Sequence, residues 1–303
     1  MRFCFTRPAA VLLILGLAAC TRDGKAPQPK PAPAPAASTV VAAPAAPAPA
    51  PALAQEPVRD REKERALMQA IFGESYDLEA GNALAIIEDE GEEEYFLMTL
   101  ADFSELPDGR IVVVVNGAPS GENREEASSH VSPGMLNVYV LQPRDTGGWR
   151  LVGRHQNVDK LGSSGHFGDV KWIDLGAGKT GFIVSSGGIW QGHVMSTASI
   201  YEFGEGVRAL GGFSESSSND GACVPGVEDC WDVDSSIRFA DDPQGGAYRD
   251  ILVDFKGRHY TVTEDKSGKD VEHLKSTVQQ SARYRFDGKA YVLVSGANPV
   301  PGF

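Results

Sequence analysis

Three apolar runs, RIVVVVNG, GFIVSSG and DILVDFKG, end on Gly117, Gly187 and Gly257, two steps of 70 residues. A spacing kept that closely marks an internal repeat, and a repeat restricts the fold more than any composition figure does. Each run is short, rich in β-branched or aliphatic side chains, and reads as a strand. A strand with an acidic residue and then a turn precedes each one: LMTLADF with PDG, VKWIDL with GAGK, IRFADD with PQGG. A tyrosine-centred strand follows, NVYVL, SIYEF and ARYRF, which sets Tyr139, Tyr201 and Tyr284 in equivalent places. Glycine-rich turns then lead to WRLVG, VRALGG and AYVLVSG. The unit is four strands, and its three copies, near 95–155, 165–213 and 235–296, predict an all-β domain.

Four-stranded antiparallel units in tandem are the mark of propeller blades. The first two strands of each unit resemble a degraded FG-GAP repeat, the middle copy, HFGDVKWIDLGAGKTGFIV, most closely. The resemblance implies blade-like repeats. Three are fewer than the four or more blades of propellers, so the expected form is a propeller-like fan or a curved sandwich, with residues 58–96 available to extend the sheet. The FG-GAP calcium loop needs several Asp or Asn in its turn; Gly-Ala-Gly-Lys-Thr stands here, and calcium is not implied. The globular region as a whole resembles uncharacterised exported proteobacterial proteins. Ahead of the first unit, Arg59 to Phe72 predicts an amphipathic helix with Leu67, Met68, Ile71 and Phe72 on one face. It is expected to cover a sheet edge or the end of a core. The acidic run EDEGEEE predicts a hairpin turn between strands near 84–87 and 95–100.

Residues 1–19 have the make-up of an export signal: Arg2 and Arg7, a short apolar run, and the small residues Ala18 and Ala19 before Cys20. The run is too short to span a bilayer, which takes about 20 apolar residues. Leu17-Ala18-Ala19-Cys20 resembles the lipobox of bacterial lipoproteins. That resemblance implies a diacylglycerol on the Cys20 sulfur, removal of the leader and acylation of the new amino terminus, palmitate being the usual chain. In the Gram-negative pattern Thr21, rather than Asp, implies sorting to the outer membrane with the domain facing the periplasm. Residues 20–57 are Pro/Ala-rich with almost no large apolar side chain and predict a disordered, extended tether. At ~3.1 Å per residue it reaches on the order of 90–100 Å. The globular domain is then residues 58–303.

The formal net charge is −13. Such a chain is repelled by phosphate backbones, which argues against a nucleic-acid role, and it attracts a basic partner at long range. Of the four cysteines, Cys4 leaves with the leader and Cys20 takes lipid. Cys223 and Cys230 bracket CVPGVEDC in an exported chain and predict a disulfide. A metal pair lacks a third Cys or His close in sequence.

Signals of catalysis are thin. Gly178-Lys179-Thr180 has the end of a P-loop, but Ile173 stands where the motif's first glycine belongs and no helix follows, so it reads as a hairpin turn. No G-x-S-x-G elbow is present. The histidines, His130, His155, His166, His193, His259 and His273, include no zinc-protease pair four apart. Asp241 with Asp242 is no signal of acid–base work in so acidic a chain. Asn219, Asp220, Glu228, Asp229, Asp232 and Asp234 crowd the disulfide loop; lacking calcium-loop spacing, they read as a solvated acidic loop, with a calcium site as the alternative. No catalytic residue, metal or cofactor is assigned.

The binding signal is GGIWQGHV. Trp190 between glycines offers a ring to stack, and Gln191 and His193 offer hydrogen bonds; the alternative packs Trp190 over its own sheet. Segments 118–133, 188–194 and 258–279 follow the second strand of each unit, differ in length, and are expected to be loops on one face. The favoured function is non-catalytic binding of a periplasmic protein, such as a cell-wall hydrolase that the chain inhibits or confers immunity to. The alternatives are an envelope-assembly scaffold and a cell-wall or polysaccharide hydrolase with Trp190 as a sugar platform.

Overall fold

Residues 60–89, 91–240 and 247–302 are described by a computed structural model. The leader, Cys20, the tether and the Asp241–Asp242 pair lie outside the described residues. One α-helix is present among them, α1 (Arg61–Phe72), and the strands form two sheets. The first sheet holds β1 (Tyr76–Asp77), β2 (Asn82–Asp89), β3 (Glu92–Glu105), β4 (Ile111–Pro119), β5 (Gly134–Pro143) and β6 (Trp149–Leu161), side by side in that order. The second holds β7 (Asp169–Gly176), β8 (Lys179–Trp190), β9 (His193–Phe203), β10 (Val207–Ser218), β11 (Cys230–Phe239), β12 (Ile251–Glu264), β13 (Asp270–Phe286) and β14 (Tyr291–Gly296), again in order. Every pairing within them is antiparallel.

Strands β3–β6, β7–β10 and β11–β14 occupy the three stretches in which the repeat was read. Their hydrogen bonding differs from three free-standing units, because Ser217 pairs with Val233 and Ser218 with Asp232. These two pairs fuse the second and third groups into one sheet. At the other end β2 pairs with β3 across the acidic turn, and the first sheet grows to six strands.

The core explains why RIVVVV is apolar without alternation. Ile111, Val113 and Val115 face α1, where they meet Leu67, Met68 and Ile71 together with Met135, Tyr139 and Leu141 of β5. Val112 and Val114 point the other way and pack, with Leu136, Val138 and Val140, against Phe182, Val184, Tyr201 and Phe203 of the second sheet. A strand covered on both faces needs apolar residues at every position. Of the two places expected for it, a sheet edge or the end of a core, the helix takes the second, lying on a sheet face. Asp60 caps it, accepting from the Lys63 N–H at 3.1 Å.

The second sheet curls over itself. Ile183, Ile200, Leu210 and Phe213 share a core with Ile251, Val253, Phe255 and Tyr284, and the Phe213 and Tyr284 rings stack 4.5 Å apart although β10 and β13 are not neighbours. The Arg249 N–H reaches the Leu175 carbonyl at 2.6 Å, tying the start of β12 to β7. Beyond this last layer the face of β11–β13 is polar and laced by ion pairs, Arg238 to Asp254 at 3.0 Å among them. A helix ends the stack on one side and charge ends it on the other. The two sheets stay open.

Candidate functional site

The segment that carries the binding signal is hairpin, not loop. β8 and β9 stay paired to their last residues, Ile189 with Val194 and Trp190 with His193, so only Gln191 and Gly192 turn. Both have positive φ, 49° and 83°, the pattern of a tight turn whose twist matches its strands. Alternation along the strands puts Trp190 and His193 on one face of the tip and Ile189 and Val194 on the other. Segment 258–279 is likewise a long hairpin, with β12 and β13 paired out to Glu264 and Asp270. Of the three expected loops, only the one between β4 and β5 is irregular over most of its length. Ladder hydrogen bonds explain the difference, since they hold polar and glycine-containing stretches extended once a partner strand lies alongside.

Trp190, Gln191 and His193 are thus brought together at one tip. The Trp190 indole lies back over Gly188, where an added Cβ would collide with its Cζ3 and Cη2. It nonetheless stays 40 % exposed, and Ile189 and Val194 behind it are 68 % and 42 % exposed. His193 stands 5.7 Å, ring to ring, from Trp231 of β11, whose Nε1 donates to Ser217 Oγ at 3.0 Å. Trp231 was not singled out from the sequence. Its position directly after Cys230 was the available signal, since the disulfide fixes that strand end beside the tip.

The disulfide loop backs the tip. The Gly192 and Gly221 backbones touch, leaving no room for a side chain on Gly192. Cys223 and Cys230 stand at disulfide distance, Cα to Cα 5.8 Å, and with Val227 they cover Tyr260 and Val262. Two of the loop's acids turn to side chains of this domain. Asp220 accepts from the Tyr260 hydroxyl, and burial, then this carboxylate, raises the tyrosine above its ordinary range. Asp229 lies 3.2 Å from Lys275 Nζ and 3.1 Å from His259 Nδ1. Burial pushes its carboxyl up, but Lys275 and His259 outweigh that and hold it below the usual carboxylate range. Among the described residues no three His, Cys, Asp or Glu side chains converge as a metal site.

The neighbouring loops continue the surface. Ser163 Oγ donates to the Gly187 carbonyl at 3.1 Å, and the Gly165 N–H donates to the Ser132 carbonyl at 2.8 Å. The β4–β5 loop, the β6–β7 loop, the Trp190 tip and the disulfide loop therefore form one row of contacts. Gly178-Lys179-Thr180 lies far along the chain of β8 from this row, at the β7–β8 turn, where Lys179 Nζ is 3.5 Å from Glu202. No helix among the described residues is long and apolar enough to cross a membrane.

No protein-family model, curated protein or solved structure matches the chain.

Proposed function

We propose that the chain is a lipid-anchored lipoprotein of the outer membrane, facing the periplasm, whose β domain binds a protein partner without catalysis. The anchor is Cys20, followed by the Pro/Ala-rich tether. In this reading the three four-stranded groups are blade-like repeats stacked as an open, propeller-like fan, with the hairpin tips as its working edge. The observation that carries the proposal is the exposed Trp190 ring on a two-residue turn that Gly188 and the disulfide loop hold in place. A rigid, half-exposed aromatic loses little entropy on contact, and such residues dominate interface energies.

The partner's chemistry follows from charge. Glu122, Glu125 and Glu126 lie in the β4–β5 loop, and Asp220 and Glu228 lie in or beside the disulfide loop. A basic protein is steered to such a row, and its association slows as salt screens the field. A cationic cell-wall hydrolase, inhibited by the contact, fits that description. The test is Trp190→Ala in the full-length protein, used to capture partners from detergent-solubilised envelopes. The variant is expected to fold and to bind the wild-type partner more weakly by about 2–4 kcal/mol. Unchanged affinity in a folded variant would sink the reading.

A further inference from the structure

The longest strand of the fold is open along most of one edge. β13 runs 17 residues, but β14 pairs with it only from Ala282 to Phe286. From Asp270 to Gln280 it is paired to β12 alone among the described residues. Side chains there are exposed except for the half-buried Val278, and Leu274 is 62 % exposed. An open edge of this length joins another strand unless proline, outward charge, a bulge or a covering loop prevents it. The stretch has no proline. Glu272 is paired to Arg258, and Lys275 to Asp229 and the Glu228 carbonyl, so both central charges are turned to their own domain. A bulge at Lys275 is the one blunting device left: Leu274 pairs with Tyr260 and Ser276 with His259.

The edge's own pattern identifies the occupant. The Ala297 N–H bonds the Ser281 carbonyl on this side of the strand. Alternation then turns the N–H and C=O of Thr277 and Gln279 outward too, and those of Ser276 inward. We propose that this edge pairs with the same edge of a second copy, the two β13 strands running antiparallel about a two-fold axis at Ser276. With the bulged Lys275 set aside, that register lays the free edge on itself from Val271 to Gln280. Leu274 meets Thr277, and Glu272 meets Gln279, each pair sharing a face of the sheet. At the paired positions no like charges oppose, the two bulged lysines lying diagonally across the axis with each held to Asp229 of its own chain, and the carboxylate faces an amide that donates to it. The match of the edge to itself in charge at its paired positions selects a second copy over an unrelated strand. The contact is isologous and closes at two chains.

The full-length protein, purified in detergent, gives the test by light scattering with the detergent mass subtracted. Two chains per particle are expected. Ser276 would face itself as a non-hydrogen-bonded pair, about 4.5 Å between Cα atoms, within reach of a disulfide. Ser276→Cys should therefore yield a covalent dimer on mild oxidation that wild type does not. Thr277→Pro removes an N–H that alternation turns outward, to the edge left unpaired among the described residues, and should loosen the dimer at least ~10-fold, while Thr277→Ala should not. A single-chain mass for wild type, a foreign polypeptide in place of the second copy, or no covalent dimer from Ser276→Cys overturns the proposal. If Thr277→Pro does not fold, the cysteine result decides.

Discussion

Asp250, just before β12, is a carboxylate only 2 % exposed, gripped by Arg283 and by Arg285, whose Nη2 donates at 2.9 Å. The hydrogen bond from Arg285, then that from Arg283, outweighs burial and holds the carboxyl below its usual range. The folded value lies below the unfolded one. Its contribution to stability is therefore complete above the ordinary carboxylate pKa and is lost as pH falls through the folded value. Asp250→Asn keeps the shape but leaves two guanidinium groups facing a neutral amide. Urea unfolding at pH 7 should show a loss of about 3 kcal/mol. Repeated at lower pH, the gap between wild type and variant should narrow below about pH 4, as wild type too loses its charge. A gap that stays constant down to pH 2 would mean the charge is not what holds the site.

At the scale of single elements, the β8–β9 turn makes the sharpest demand. Gly192 has φ 83° and its backbone lies on Gly221 of the disulfide loop. Gly192→Ala combines backbone strain with a collision and should destabilise by about 2–3 kcal/mol, read from thermal unfolding. Gly226→Ala, at φ 97° with nothing nearby, carries strain alone and should cost about half as much. Equal losses would mean that the tip and the loop do not press on each other. These elements also show what a sequence displays and what it hides. The period of Leu67, Met68 and Ile71 displays a helix face, and RIVVVV displays a strand, because those patterns are local. That the helix covers a face of β4 was hidden, since the unbroken apolar run of Ile111 to Val115 calls for two covers without naming them. Trp190 was readable as either exposed or folded back, and it is partly both. The hairpins at 188–194 and 258–279 were masked by glycine and charge, which signal turns when no partner strand is in view. The meeting of His193 with Trp231, 38 positions apart, depends on β9 and β11 both pairing with β10 and left no local trace.

For the molecule as a whole, the two ends of the stack set its limits: α1 covers one terminal face, ion pairs line the other, and no further layer is invited. The strand order has a different consequence. In both sheets each strand lies beside its neighbours in sequence, with no crossover anywhere among the described strands. Most loops between partners are short, those after β4, β10 and β11 being longer, so little closure entropy stands in the way of most contacts. Most all-β domains pair strands distant in the chain and refold in milliseconds to seconds because of it. This meander belongs at the fast end of that range. With the disulfide intact, stopped-flow refolding should show its main phase in tens of milliseconds; a main phase slower than a second would count against it. A polypeptide ordered this way has no strand that must wait for a distant one. It is able to build itself from its amino-terminal side as it emerges from a ribosome or a translocation pore, each new strand finding its partner among those already delivered.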